Sequence, residues 1–183
     1  PINPAKHEKI FEDKSVEVFT IPLKHRVPAC GFLFQEKEGL RHIKRDMIDF
    51  YQVPISKIGR IKLGDDFTTD DGRVIPNSVL TNPPTPPIRY AYCSDTSYNE
   101  KIIKIIENVD LLYHEATFAE SESVRAKQTM HSTARQAATI AQKAEVKNLI
   151  IGHYSARYKH KNILLKEAKE VFGNTLLGED KTT

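Results

Sequence analysis

The spacing of apolar residues changes along this chain. Around residues 16–21 and 31–35, β-branched and aromatic residues gather in short runs bounded by Pro22, Pro28 and Gly31. These runs predict two strands, with His25 in their connection. From residue 38 to residue 87 no period holds; Gly and Pro recur, and Pro83-Pro84 and Pro86-Pro87 close the stretch. It reads as an irregular insertion, and insertions of this length are usually functional or disordered.

Beyond Pro87 the pattern becomes regular. Residues 88–93 predict a strand whose end carries Ser94-Asp95-Thr96. Ser97 and Glu100 form a capping box for a helix with Ile102, Ile105, Ile106 and Val109 on one face. A strand at 109–113 leads to His114-Glu115-Ala116-Thr117, and a polar loop leads to His131-Ser132-Thr133. Thr133 and Gln136 cap a helix that buries Ala137, Ile140, Ala141 and Ala144. A strand at 148–151 then delivers Gly152-His153-Tyr154-Ser155. The last helix begins near Asn162, buries Leu164, Leu165, Ala168 and Phe172, and stops at Gly173.

Strand, helix, strand, helix, strand is the signature of an α/β layer, in which loops at the carboxyl ends of neighbouring strands face one crevice. Three such ends carry Asp95, His114 with Glu115, and His153. Imidazole and carboxylate are ligands of catalytic zinc, and the two oxygens of a carboxylate can bridge two ions. Asp95 suits that bridge. By position alone it serves equally well as the cap of the helix that follows.

Charge adds little to this picture. The 27 Lys and Arg exceed the 24 Asp and Glu by only three, an excess that permits a polyanionic partner without demanding one. Cys30 and Cys93, far apart and each in an apolar run, read as buried free thiols, which fits a reducing, cytoplasmic setting. No apolar stretch reaches the roughly 20 residues that cross a bilayer, so no membrane partner is expected. The opening Pro1-Ile2-Asn3-Pro4 lacks a methionine, which suggests a piece of a longer chain.

The blocks Ser94-Asp95-Thr96, His114-Glu115-Ala116-Thr117, His131-Ser132-Thr133 and Gly152-His153-Tyr154-Ser155-Ala156-Arg157-Tyr158, preceded by His25 and Ala29-Cys30-Gly31-Phe32, resemble the ribonuclease Z family in order and spacing. The resemblance spans nearly the whole chain. It implies the C-terminal part, residues 1–183, of one metallo-β-lactamase-fold domain. That part is the second half of an αβ/βα four-layered sandwich, with an arm inserted at about residues 38–87. It implies two zinc ions per complete subunit, with His25 on one ion, His153 on the other and Asp95 on both. The family's H-x-H-x-D-H motif, which supplies the remaining ligands and the general base, occurs nowhere in this sequence.

The activity implied is removal of the 3′ trailer from precursor tRNA by hydrolysis that leaves a 3′ hydroxyl, with a fragment lacking the motif inactive alone. His131 is the expected general acid and Glu115 its carboxylate partner. His114 is expected to be structural, satisfied by backbone groups. Ser155 and Arg157 would touch phosphate, a surface ion pair being the plain alternative for Arg157. In the arm, Arg41, Lys44, Arg45, Lys57, Arg60 and Lys62 would contact the tRNA backbone. The family resemblance also implies a homodimer. Two further readings stand beside this one: a metallo-β-lactamase-fold hydrolase of small esters or sulfates, and a noncatalytic RNA-binding module.

Overall fold

The structure is a computed structural model that describes residues Ile2 to Glu179. Its opening strands, β1 (Lys9–Glu12), β2 (Val16–Pro22) and β3 (Cys30–Glu36), form an antiparallel meander. Strands β2 and β3 lie where the apolar runs predict them. β1, with the largely exposed sequence KIFE, carries no such signal.

Residues 37–87 form a compact unit of their own. In chain order it contains β4 (His42–Ile43), α1 (Arg45–Phe50), α2 (Ile55–Lys62), β5 (Phe67–Thr68), β6 (Val74–Ile75), α3 (Asn77–Leu80) and β7 (Thr81–Asn82), with β4 paired to β7 and β5 to β6. Each element has eight residues or fewer, too short for a period to show in sequence. Ile48, Val53, Ile61, Phe67, Ile75 and Leu80 nevertheless close a small core. Pro54 and Pro76 stand at the starts of α2 and α3, where a missing N–H costs no helical bond.

The chain then returns as β8 (Arg89–Cys93), β9 (Leu111–Glu115), α4 (Ser123–Thr129), α5 (Ala134–Lys143), β10 (Asn148–Gly152), α6 (Asn162–Val171) and β11 (Thr175–Leu177). Together with the opening meander these strands make one seven-stranded sheet, ordered β1-β2-β3-β8-β9-β10-β11. β8 is antiparallel to β3, and β8 to β11 run parallel.

One sheet face presents Leu33, Ala91, Leu112, Leu149 and Ile151 to the core shared with Ala137, Ile140 and Ala141 of α5 and Leu164 and Ala168 of α6. Each large side chain buried there contributes about 1.5–3 kcal/mol. The registers place Phe34 beside Tyr90, Tyr92 beside Tyr113, and Tyr113 beside Ile150 on the opposite face. Tyr92 and Tyr113 stack at 4.7 Å, and Phe34, Tyr92 and Leu176 remain exposed. Both cysteines are free. Cys93 is fully buried, which pushes its thiol up to about 12, whereas Cys30 is only partly buried. Among the described residues no helix is long and apolar enough to cross a membrane.

One predicted helix is replaced. After Asp95 the chain makes only a 3-10 turn at Glu100–Ile102, capped by Asn99 rather than Ser97. Ser97 is occupied elsewhere, since its N–H and hydroxyl both donate to the Lys24 carbonyl. The crowded β-branched residues Ile102, Ile103, Ile105 and Ile106 disfavour α-helix, and Asn108, at φ 58°, turns the chain towards β9. Ile102, Ile106 and Val109 are still fully buried. The capping box of Thr133 and Gln136 forms as predicted.

Candidate active site

The carboxyl ends of the parallel strands β8, β9 and β10 bring Asp95, Glu115 and His153 together, as the α/β alternation predicts. His131 joins them from the turn after α4. Asp95, Met130 and His153 have φ of 56°, 63° and 57°, a left-handed conformation uncommon for residues with side chains. Three such residues at one site hold the backbone in a shape that regular strand and helix do not provide.

Glu115 is the hub. It is fully buried, and its Oε1 accepts from the Thr96 N–H (2.6 Å) and from His131 Nδ1 (2.9 Å). Its Oε2 accepts from the Thr117 hydroxyl (2.6 Å) and the Ser132 N–H (3.0 Å). Four donors occupy the four lone-pair positions of the carboxylate, which is what makes its burial tolerable. Glu115 shares a cluster with Asp95, His131 and His153 whose ligand atoms all lie within 4.8 Å of one another. With its oxygens saturated, it orients its neighbours rather than offering a ligand of its own.

The histidines share one orientation. His25 Nδ1 meets the Met130 carbonyl at 3.0 Å, and His131 Nδ1 meets the Glu115 carboxylate. Both partners only accept, so both rings donate from Nδ1. His153 Nδ1 lies 2.9 Å from Thr117 Oγ1. That hydroxyl also approaches the His153 carbonyl at 2.9 Å, but its single proton goes to the charged and closer Glu115 oxygen. It therefore accepts from His153. In all three rings Nδ1 is the anchored nitrogen, which turns Nε2 towards the site, the arrangement that outer hydrogen bonds impose on metal-ligating imidazoles. His131 stands between the others, with ring centroids 5.1 Å from His25 and 5.3 Å from His153.

His153 Nε2 and Asp95 Oδ1 approach to 3.1 Å, and both side chains are partly exposed. Two tetrahedral ligands at zinc distances stand about 3.3 Å apart, so this donor pair fits one cation. Asp95 caps no helix, because the 3-10 turn after it is capped by Asn99. His25 lies beside His131 and outside the four-residue cluster. His114 is fully buried; its Nδ1 donates to the Glu115 carbonyl at 2.7 Å while Nε2 has no partner. Backbone thus satisfies only one of its nitrogens, and burial lowers its pKa.

Ser155 and Arg157 lie beyond His153. Arg157 pairs with Glu122 at 2.9 Å, donates to Ser155 Oγ at 3.2 Å and stacks over Phe118 at 5.4 Å. This is the surface ion pair weighed above. Within the unit at 37–87, Arg41 donates to Thr81, Lys44 to the Ser78 carbonyl, and Arg60 pairs with Asp65 at 2.7 Å. Arg45 stands 4.0 Å from Asp49, while Lys57 and Lys62 form no ion pair among the described residues.

Sequence reading missed Thr117 and the Met130 carbonyl. Thr117 lies inside a recognised block, yet its role depends on the β9 and β10 ends being tied together, by Ala116 N–H to Gly152 O and Ser155 N–H to Thr117 O.

No protein-family model matches the chain. It is 59% identical over 98% of its length to a protein named ribonuclease Z from Parabacteroides distasonis, and 56% identical over 97% to one from Phocaeicola vulgatus. The one from Porphyromonas gingivalis is 52% identical over 98%. The chain spans 59%, 58% and 59% of these relatives. Among solved structures, a metallo-β-lactamase fold protein of Bacillus subtilis matches with a TM-score of 0.59 at 18% identity, covering 93% of this chain and 48% of that one. Human tRNase Z, short form, matches with a TM-score of 0.51 at 22% identity, covering 94% and 44%. Over nearly its whole length the chain is a homologue of proteins named ribonuclease Z, and its fold is of the metallo-β-lactamase type.

Proposed function

We propose that this chain supplies the second half of the active site of a zinc-dependent endoribonuclease that removes the 3′ trailer from precursor tRNA. The observation that carries the reading is the shared orientation of His25, His131 and His153, each held at Nδ1, beside Asp95 and the saturated Glu115.

His25 would hold one ion, His153 the other, and Asp95 both. When bound, two zinc ions supply charge neutralisation at the phosphodiester and a water of lowered pKa. His131 acts as general acid. Its Nε2 proton passes to the departing O3′ as the P–O3′ bond breaks, while the attacking water's oxygen joins phosphorus. The products are a tRNA 3′ hydroxyl and a trailer with a 5′ phosphate. Glu115, hydrogen-bonded to Nδ1, fixes the ring. The base lies outside these residues, and we take the 183 residues to be inactive without an H-x-H-x-D-H partner segment.

The exposed apolar side chains of Phe34, Tyr92 and Leu176 support that view, since a second sheet in a four-layered sandwich covers such a face. Residues 38–87 would serve as the tRNA-binding arm through Arg41, Lys44, Arg45, Lys57, Arg60 and Lys62, with Ser155 and Arg157 near the scissile phosphate. Arg157 would exchange Glu122 for phosphate. The complete enzyme would work as a homodimer in the cytoplasm. The test is incubation of the complete zinc-loaded protein with a precursor tRNA, followed by analysis of the product ends. A 3′ hydroxyl on the tRNA and a 5′ phosphate on the trailer are expected; a 2′,3′-cyclic phosphate would exclude water as the nucleophile.

A further inference from the structure

Beside His131 lies a cleft of about 540 Å³ to which the proposed mechanism gives no occupant. Its walls include Lys24 from the β2–β3 connection, Tyr98 from the turn after Asp95, Val124 and Lys127 from α4, and Met130 and His131. No carboxylate lines it. Lys24 and Lys127 are exposed and form no ion pair among the described residues, so two cations face the cleft without a counter-charge. Tyr98 is held by its hydroxyl, which donates to Glu100 at 2.6 Å, and Val124 is 71% exposed. A fixed aromatic ring, an uncovered apolar side chain and two free cations match a flat heteroaromatic group linked to phosphate. The volume falls in the range of small-ligand sites.

We propose that this cleft holds the nucleotide immediately 5′ of the scissile phosphate, its base against Tyr98 and Val124 and its own 5′ phosphate neutralised by Lys24 and Lys127. The inference rests on the reading of His131 as the acid. The oxygen that His131 protonates is the O3′ of that nucleotide, so its ribose must lie against the His131 ring, and the adjoining cleft is where its base can go. Sequence discrimination at this position would then be weak, because stacking on tyrosine accepts any base.

The test compares kcat/KM of the complete zinc-loaded protein on a precursor tRNA and on the same RNA made abasic at that nucleotide. Wild-type protein should lose about tenfold on the abasic substrate. Tyr98→Leu, checked for wild-type zinc content and unfolding temperature, should lose about tenfold on the intact substrate and nothing further on the abasic one. Lys24→Ala and Lys127→Ala alter exposed side chains, and each should flatten the salt dependence of log kcat/KM by about 0.7. Additive losses from Tyr98→Leu and the abasic site, or unchanged salt slopes, would overturn the pocket while leaving tRNA cleavage intact. Failure of the wild-type protein to cleave precursor tRNA at all would overturn the pocket and the nuclease reading together.

Discussion

His131 donates from Nδ1 to a Glu115 carboxylate that is fully buried and already accepts three other hydrogen bonds. One acidic side chain thereby ties together the ends of β8 and β9, the turn after α4 and, through Thr117, His153. Glu115→Gln would replace one oxygen with an amide N–H₂, leaving two donors without an acceptor at about 1–3 kcal/mol each. Denaturant unfolding should report that loss. In the complete protein, cleavage should fall by about 10²–10⁴-fold as His131 loses its charged partner. Unchanged stability would show that the carboxylate is not the hub described.

Thr117 relays this order to His153. Thr117→Val keeps the shape but removes the acceptor of the His153 Nδ1 proton, and zinc affinity should fall about 10–100-fold. Competition against a chelator of known affinity measures this. Wild-type affinity would mean that the ring needs no such anchor.

At Gly152 the constraint is space. A Cβ there would fall 2.1 Å from the Tyr113 hydroxyl oxygen, and that ring is stacked on Tyr92. Gly152→Ala should cost about 1–3 kcal/mol. For a chain of this size that lowers the unfolding temperature by roughly 2–4 °C per kcal/mol. It should also displace His153, the next residue, so zinc affinity should drop with stability.

The buried His114 predicts a pH effect. Burial lowers its pKa below the usual 6.5, so the folded chain keeps it neutral while the unfolded chain takes up a proton. Its contribution is therefore fully present above about pH 6.5 and is lost as pH falls through the lowered folded value. In chelator-treated protein, the fall in denaturation midpoint between pH 7.5 and 5.5 should be smaller for His114→Asn than for wild type. Equal falls would place the titrating group elsewhere.

Much of this was legible in sequence because strand runs and short motifs are local. The strands around Val18, Leu33, Ala91, Leu112 and Leu149, the Thr133 cap, and the meeting of Asp95, Glu115 and His153 at strand ends all follow from period and spacing. The helix expected after Ser97 failed because Ser97 bonds the Lys24 carbonyl, a contact 73 residues away in sequence. The core at Ile48, Ile61 and Leu80 was hidden because its elements are too short to show a period. Left-handed Asp95 and His153, and the ties of Thr117 and Met130, depend on loops meeting in space, which no local pattern encodes.

The role proposed for Asp95, with His25 and His153, is to hold the metal for cleavage of precursor tRNA. Its most direct test is cleavage by the complete protein, before and after Asp95→Ala, with zinc added back after chelation. Chelation should abolish cleavage, zinc should restore it in wild type, and Asp95→Ala should remain inactive with zinc present. Cleavage by Asp95→Ala at the wild-type rate would contradict that role.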